Sequence, residues 1–160
     1  MGMANNEKFL GGNSMLDIRP ATSSEQPLLR RIISTAHLDP SNLHWENFVI
    51  AEWDSQIAGI AQVKPYRDCR EFGSLVVLPA FRKRGIASQL IQHCLAHEQG
   101  PIYLMCERKM ESFYNAQGFR AISFAEAPPT LRIKLTVTVV FRLFGVRLMC
   151  MRHNKLTPHT

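Results

Sequence analysis

The feature that most constrains this chain is residues 71–100, where a strand, a short basic loop and a helix follow one another. The apolar run at 72–78 predicts a strand, and Pro79 ends it. The loop at 82–87 is basic and contains a glycine, and apolar residues at helical spacing then predict a helix over 87–99. The first N–H groups of a helix carry the positive end of its dipole. We therefore expect this loop to bind an anion such as a phosphate.

The spacing within this loop excludes two common kinds of phosphate site. The sequence contains neither the Gly-x-x-x-x-Gly-Lys-Ser/Thr pattern of a P-loop nor the Gly-x-Gly-x-x-Gly pattern of a dinucleotide fold. The loop instead reads Arg82-x-x-Gly85-x-Ala87 after the strand end Val-Val-Leu-Pro. Further along the chain, Tyr114 stands four residues ahead of the pair Gly118-Phe119.

In order and separation, these two patterns resemble the signatures of the GNAT acyltransferase superfamily, over roughly residues 16–152. The resemblance implies an α/β (α+β) GNAT fold with a mixed central sheet of about six or seven strands flanked by helices. The N-terminal part of such a sheet is antiparallel, and two parallel central strands splay apart. It also implies acetyl-CoA as co-substrate, with the pantetheine arm entering the gap between those two strands.

The resemblance further implies roles for individual residues. Those expected to bind the cofactor are Leu75, Val76, Val77, Arg82, Lys83, Arg84, Gly85, Ile86, Ala87, Ser88 and Tyr114. The first three would do so through backbone N–H groups exposed by a strand bulge, the alternative being ordinary ladder amides. Tyr114 stands where many relatives place the acid that protonates the leaving thiolate, and a phenol is still protonated at neutral pH. The alternative for Tyr114 is a packing role against the preceding long helix.

Two carboxylates are candidates for work on the acceptor. Glu71, at the start of the predicted central strand, matches a position where some relatives keep a general base. The alternative is a solvated carboxylate at a strand end. Glu107 stands where many relatives carry an Asn that contacts the cofactor arm. This departure offers a second carboxylate for binding the substrate amine, the alternative being an exposed Glu paired with Arg108 or Lys109.

Periodicity predicts the remaining elements. Strands are expected at residues 16–19, 48–53, 57–66, 102–106, 119–124 and 146–152, and helices at about 22–37 and 110–116. The second and third of these strands form a hairpin around Asp54-Ser55.

Pro128-Pro129 open a last segment, which we interpret as a helix extending to about residue 144. Its expected covered face comprises Leu131, Leu135, Val139, Phe141 and Leu143. The β-branched run at 136–140 instead favours a strand.

Length and composition fit one domain. With 160 residues and 46% apolar side chains, the chain has enough material for a single core, which we place at residues 15–152. Residues 1–14 are expected to be a flexible leader or tag and residues 153–160 a frayed tail. The four cysteines lack metal-ligand spacing, so buried reduced thiols and a cytoplasmic location are expected, or the stroma in a plastid relative.

Charge and hydropathy limit the partners. The net charge of +6 favours an anionic partner without identifying it. The apolar stretch at 133–151 contains Lys134, Arg142 and Arg147, each costing about 3 kcal/mol at a bilayer centre, so no membrane span is expected. His93 and His97 have no third ligand at a suitable spacing, so no metal site is expected.

The resemblance thus implies an N-acetyltransferase that passes an acetyl group from acetyl-CoA directly to a primary amine. The acceptor is a small amine, or the lysine or N-terminal amine of a protein, and the enzyme a monomer or homodimer. The alternative is a non-catalytic CoA-binding module or a basic nucleic-acid-binding module. No helix-turn-helix, zinc finger or aromatic-basic RNA-binding stretch is present, so neither nucleic acid nor membrane is an expected partner.

Overall fold

The computed structural model describes residues 15–154, which form a mixed sheet of seven strands flanked by helices. The strands are β1 (Leu16–Pro20), β2 (Phe48–Trp53), β3 (Gln56–Pro65), β4 (Arg70–Val77), β5 (Ile102–Glu107), β6 (Arg120–Ile122) and β7 (Leu148–His153). The α-helices are α1 (Gln26–Thr35), α2 (Ile86–His97), α3 (Glu111–Ala116) and α4 (Pro129–Val137). The strand order is β1-β2-β3-β4-β5-β7-β6.

The centre of this sheet is open at one end. All neighbouring pairs of the described strands are antiparallel except β4 and β5, which are parallel. These two strands pair only through Glu71 and Tyr103, next to their first residues. They therefore separate towards their carboxyl ends, as the resemblance implied, and α2 connects them as a crossover.

Helices cover both faces of the sheet, and the alternation of side chains along each strand assigns the faces. On one face α2 and α3 pack on Phe72 of β4 and Leu104 of β5. On the other face α1 covers β2 and β3, whereas α4 covers β5 and β7. The neighbours of Phe72 and Leu104 along their strands, Glu71 and Tyr103, therefore point between α1 and α4.

Local sequence explains where α1 begins. The Glu25 carboxylate accepts a hydrogen bond from the backbone N–H of Thr22 at 2.8 Å, closing a 3₁₀ turn (Ser23–Glu25) that leads into the helix. Arg19 donates to the same carboxylate at 2.8 Å. This hydrogen bond lowers the pKa of Glu25 to about 2, and the ion pair ties the start of the helix to β1.

Most predicted elements are confirmed, including the mixed GNAT-type sheet, the β2–β3 hairpin and the long helix after the basic loop. All four cysteines are buried and free, as expected. The predicted strand at 119–124 is shorter, since β6 ends at Ile122 and a 3₁₀ turn (Phe124–Glu126) follows. The proposed leader at 1–14 lies outside the described residues. Of the proposed frayed tail at 153–160, His153 belongs to β7 instead, and residues 155–160 lie outside the described residues.

The segment after Pro128 is helical as interpreted, but its covered face is shorter than predicted. After Val137 the chain continues as a 3₁₀ helix (Thr138–Phe144), in which three residues make a turn. Leu131 is buried, whereas Val139 and Leu143 are exposed, so the prediction that they cover the core is wrong. None of the helices described is long and apolar enough to cross a membrane.

Candidate functional site

A bulge interrupts β4 beside the gap. Gln62 of β3 pairs with Gly73, but Ile60 pairs with Val76, so the single residue between them on β3 lies opposite two residues of β4. Within the bulge Ser74 has a φ of 54°, a conformation that is rare outside glycine. The bulge changes which backbone groups point at β3.

The hydrogen bonds after the bulge show where the neighbouring amides point. The Leu78 N–H donates to the Ala58 carbonyl at 2.8 Å, so residue 78 faces β3. Backbone groups alternate along a strand, which directs the amides of Val77 and Leu75 towards the gap and that of Val76 towards β3. In agreement, the Val77 carbonyl accepts from the Arg82 side chain at 3.2 Å. Of the three residues predicted to bind the cofactor through amides, Leu75 and Val77 therefore have the suitable direction, and Val76 does not.

The predicted anion loop runs from the end of β4 to α2. It begins with a 3₁₀ turn (Pro79–Phe81) and contains two residues of positive φ, Lys83 at 61° and Gly85 at 76°. Gly85 is the N-cap of α2, and a Cβ built on it meets no atom within 4 Å. Its exposed backbone and the following N–H groups thus form an accessible helix N-terminus.

The side chains around this loop differ in what they contact. Ile86 is buried in the core, so it can meet a ligand only through its backbone. The Arg84 guanidinium lies over the ring of Trp53, 4.9 Å from its centroid. Lys83 is exposed and makes no hydrogen bond or ion pair in the described part of the chain. Positive charge therefore surrounds the helix N-terminus on several sides.

Tyr114 lies on α3, with its ring in edge contact with Phe113 and Phe119 at centroid distances of 5.1 and 5.9 Å. Burial, with a smaller contribution from Cys106, raises the pKa of Tyr114 to about 12. The phenol is thus held protonated, and within the described residues its hydroxyl has no hydrogen-bond partner. It is free to donate to a ligand.

Gln117, just after α3, fixes that helix against α2. Its side-chain amide donates to the hydroxyl of Ser88 at 3.0 Å and accepts from Gln92 at 3.2 Å. Ser88 was predicted to bind the cofactor, and here its hydroxyl contacts Gln117. The contact couples the position of Tyr114 to the start of α2.

Glu71 lies on the opposite face of the sheet and is buried, with 5% of its surface exposed. The Lys134 ammonium of α4 donates to the Glu71 carboxylate at 2.7 Å and to the Tyr66 hydroxyl at 3.0 Å. The same ammonium is 2.8 Å from Asp39, which also pairs with buried Lys64 at 2.9 Å. Two carboxylates and two ammonium groups therefore form one connected network between α1 and α4.

The network fixes the charges of Lys134 and Asp39. Burial alone would lower the pKa of Lys134, but hydrogen bonds to Asp39 and Glu71 raise it above its usual range. Burial alone would raise the pKa of Asp39, but hydrogen bonds from Lys134 and Ser41 hold it well below its usual range. Both groups therefore stay charged at neutral pH.

Sequence reasoning missed Asp39, Lys64 and Lys134 as members of this site. For Lys134 a signal existed, because it lies between Leu131 and Leu135 on the covered face of the predicted helix. Nothing in the sequence near Asp39 or Lys64 indicates their charged partners, since those partners come from other elements.

Gln62 adds a buried polar group to this face. Its side chain is fully buried and donates to the Ser74 hydroxyl at 2.7 Å, across the bulge. Its side-chain oxygen has no hydrogen-bond partner in the described part of the chain. The contact fixes the position of Ser74.

Glu107 ends β5, with 38% of its side chain exposed and its carboxylate 2.6 Å from the Lys109 ammonium. This ion pair with Lys109 corresponds to the alternative role of Glu107, that of an exposed carboxylate paired with a neighbouring basic residue. Among residues 15–154, no group of three potential metal ligands occurs.

Comparisons with known proteins agree with this geometry. A family model for an acetyltransferase (GNAT) domain matches residues 44–121. A search among curated proteins returned no match.

Several solved structures are similar to this chain. N-acetylglutamate synthase from Neisseria gonorrhoeae, complexed with coenzyme A and N-acetyl-glutamate, is 21% identical with a TM-score of 0.70. The match covers 88% of this chain but 35% of that one, so this chain spans about a third of the synthase. Rv2747 from Mycobacterium tuberculosis, in complex with CoA, is 16% identical with a TM-score of 0.64, over 88% of this chain and 99% of that one. A GNAT-family acetyltransferase from Bacillus cereus is 21% identical with a TM-score of 0.63, over 89% and 99%. At these identities the likeness shows the fold.

Proposed function

Because this chain belongs to the GNAT acetyltransferase superfamily, whose domain it carries at residues 44–121, we propose that it transfers an acetyl group from acetyl-CoA to a primary amine. The observation that carries the proposal is the gap between β4 and β5, with the bulge at Ser74 and the basic loop at its edge. The gap gives an extended ligand a path through the sheet, and the loop offers its phosphates an anion site at the same end.

The cofactor arm would bind β4 as an additional strand does. The Val77 and Leu75 amides, directed into the gap, are suited to hydrogen bonds with pantetheine and to polarising the thioester carbonyl. The phosphates would bind at the N-terminus of α2, at Gly85, Ile86 and Ala87, with charge from Arg82, Lys83 and Arg84. Solved relatives that bind CoA support this assignment.

Tyr114 is proposed as the acid. In direct transfer the amine nitrogen attacks the thioester carbon, a C–N bond forms and the C–S bond breaks, leaving a thiolate that takes a proton. A phenol held protonated by burial, and without a competing hydrogen bond, can supply that proton. The proton that the amine loses passes to water.

Glu71 is proposed to act on the acceptor by charge and position. As a general base it would compete for the carboxylate oxygen with the Lys134 ammonium, which lies 2.7 Å away. As a fixed negative charge between α1 and α4, it can attract a protonated amine to the side of the sheet opposite α2. Glu107, at the far end of β5 and more exposed, is proposed to contribute charge at the entrance.

The proposed acceptor is a primary amine, either a small molecule or a lysine or N-terminal amine of a peptide or protein. The network offers both signs of charge, which suits an amine that also carries an anionic group. One solved relative was crystallised with N-acetyl-glutamate, the product of acetylating such an amine.

The test pairs binding with turnover. Acetyl-CoA at about 100 times its Kd should stabilise the protein by about 2.7 kcal/mol, raising Tm by about 5–10 °C. Release of free CoA thiol should then be measured with a panel of amino acids, polyamines, arylalkylamines, N-terminal peptides and lysine peptides. Stabilisation without turnover on any amine would support the non-catalytic CoA-binding alternative. No stabilisation would contradict the proposal itself.

A further inference from the structure

The excess of basic over acidic side chains in this protein comes from one part of the chain. Residues 1–126 contain thirteen basic and thirteen acidic side chains, whereas residues 127–160 contain six basic and no acidic ones. The net charge of +6 is thus the contribution of the C-terminal stretch, outside the proposed cofactor loop. This distribution indicates a second anionic partner, separate from acetyl-CoA.

The same stretch exposes large apolar side chains. Ile133, Val137, Val139 and Val140 are all more than half exposed, and Leu143 and Phe144 are 85% and 79% exposed. Phe124, in the turn before α4, is also exposed. Such side chains are scattered singly elsewhere on the described surface, but here they follow one another along one segment.

Helix α4 has two apolar faces. Leu131 and Leu135 face the sheet, together with Lys134, which pairs with Glu71. Ile133 and Val137, four residues apart, face outwards. An isolated soluble helix needs one apolar face, and a second one is typical of a helix covered on both sides.

Two shallow hollows connect Phe124 with Ile133, Val137 and Val139, and the exposed Val140, Leu143 and Phe144 follow Val139 along the chain. One, of about 430 Å³, is lined by Phe124, Ile133 and Val137, and the other, of about 500 Å³, by Phe124 and Val139. Arginines stand at the edges of both, Arg132 at the first and Arg108, Arg142 and Arg147 at the second. We call this the α4 surface, comprising Phe124, Ile133, Val137, Val139, Val140, Leu143, Phe144, Arg132, Arg142 and Arg147.

We propose that the α4 surface docks the protein onto an anionic lipid bilayer surface. The apolar side chains would enter the boundary between headgroups and acyl chains, and the arginines would pair with anionic headgroups. The protein would lie on the membrane without crossing it, and no helix among the described residues is long enough to cross. This revises the expectation, drawn from sequence, of no membrane partner, and it is independent of the proposed acetyl transfer.

The chemistry of the α4 surface suits a second copy of the chain or a nucleic acid less well than an anionic membrane. A second copy would place its own arginines against these, with no acidic residue of the stretch to balance them. The nearest acidic residue in sequence, Glu126, already accepts two hydrogen bonds from Ser123 at 2.8 Å. A nucleic acid would leave the aliphatic side chains exposed, since its contacts are made by basic and aromatic groups.

The test is sedimentation of the full chain with vesicles of phosphatidylcholine alone or with about 30 mol% phosphatidylserine. We expect at least about tenfold stronger binding to the anionic vesicles, weakening as salt is raised from about 0.1 M to about 0.5 M. The double variant Leu143→Ser, Phe144→Ser should weaken binding to the anionic vesicles at least about tenfold. Arg142→Glu, combined with Arg147→Glu, should remove the preference for anionic lipid.

The matched control is Met15→Ser, which removes a side chain that is 71% exposed at the opposite edge of the sheet. It should bind vesicles like the parent. All variants are checked for an unchanged circular dichroism spectrum and sedimentation coefficient. Absence of binding to anionic vesicles by the folded parent, equal binding to both vesicles, or unchanged binding by the Leu143/Phe144 variant would overturn the proposal. The proposal would also be overturned if the parent were a dimer that does not bind vesicles and that the Leu143/Phe144 double variant converts to a monomer.

Discussion

At the scale of single residues, burial and pairing set what each side chain of the proposed site can do. Tyr114 is packed among aromatic rings, and its burial raises its pKa to about 12. Its proton is therefore available throughout the physiological pH range, which suits an acid and excludes a base. Glu71, by contrast, accepts a hydrogen bond from the Lys134 ammonium at 2.7 Å.

The first prediction concerns the Tyr114 hydroxyl. Tyr114→Phe keeps the ring and its contacts with Phe113 and Phe119 but removes the proton, so kcat should fall about a hundredfold with little change in acetyl-CoA affinity. Initial-rate kinetics and calorimetry measure the two effects. Phe113→Leu is the control, since it alters the same aromatic packing but leaves the phenol in place. A kcat within about threefold of the parent for Tyr114→Phe would leave this residue a packing role alone.

The second prediction concerns the charge of Glu71. Glu71→Gln keeps the shape but removes the charge, so KM for the amine should rise about tenfold while kcat stays within about threefold. Glu107→Gln should raise KM less, because that carboxylate is more exposed and paired with Lys109.

The pH dependence separates the two roles of Glu71. If it acts by charge, the pH profile of kcat keeps its acidic limb in Glu71→Gln. A large fall in kcat with a flattened acidic limb, at unchanged KM, would instead show that Glu71 is the general base.

At the scale of elements, the connection from β4 to α2 carries the proposed cofactor site, and two glycines within or beside it are required for different reasons. Gly85 has a φ of 76° and open space above it. Gly59 of β3 has no open space, since a Cβ there would lie 2.8 Å from the Val76 carbonyl.

Substitution at Gly85 should separate ligand binding from folding. Gly85→Val places a branched side chain where phosphate is proposed to approach, so acetyl-CoA affinity should fall more than about tenfold, or 1.4 kcal/mol. Gly145→Val is a matched control, because Gly145 has a φ of 79° and equally open surroundings. It should lose similar stability through backbone strain but bind acetyl-CoA normally in calorimetry. Equal affinities in parent and folded Gly85→Val would contradict the assignment of the loop.

Substitution at Gly59 should act on the bulge. A Cβ at Gly59 forces β3 and β4 apart beside Val76, so Gly59→Ala should lower the free energy of unfolding by about 2 kcal/mol in urea titrations. Gly73→Ala, whose Cβ would meet only the end of the Lys64 side chain at 3.9 Å, should change it by less than about 0.5 kcal/mol. If both variants were as stable as the parent, the close approach of β3 to β4 would not limit this position.

At the scale of the whole molecule, the charged network holds together parts of the chain that the sheet alone does not connect. Asp39 follows α1, Lys64 and Glu71 belong to the central strands, and Lys134 belongs to α4. Asp39, which follows α1, is therefore linked to α4 through Lys134 at 2.8 Å and to β3 through Lys64 at 2.9 Å.

This network predicts how stability depends on pH. The pKa of Asp39 is lower in the folded state than its usual value, so the carboxylate stabilises the fold above about pH 4 and loses this effect as the pH falls further. Asp39→Asn leaves buried Lys64 without its partner, so it should lower the free energy of unfolding by about 2 kcal/mol at pH 7. This lies between the typical contributions of an exposed and a buried ion pair. The Tm difference from the parent should shrink below about pH 4.

Thermal melts of parent and variant from neutral to acidic pH measure this difference. Asp17→Asn, on the exposed side of β1, is the control and should have the same Tm as the parent at both ends of the range. A Tm difference for Asp39→Asn that is independent of pH would show that its charge does not contribute.

The sequence by itself determined the elements that are specified by residues close to one another in the chain. The strand, loop and helix of residues 71–100, the hairpin around Asp54-Ser55 and the aromatic signature at Tyr114 are each specified by neighbouring residues, through periodicity, turn chemistry and capping. The family resemblance placed these elements in one sheet, and the structure has that sheet.

Only the tertiary structure decided the contacts between distant parts. Glu71 and Lys134 are 63 residues apart, and the partners of Asp39 come from β3 and α4, so no local pattern could show that these charges meet. The amide directions at Leu75, Val76 and Val77 depended on a bulge whose position is set by pairing with β3. Val139 and Leu143 are exposed because the chain passes from α-helical to 3₁₀ geometry at Thr138, which changes the period and turns the predicted face away from the sheet.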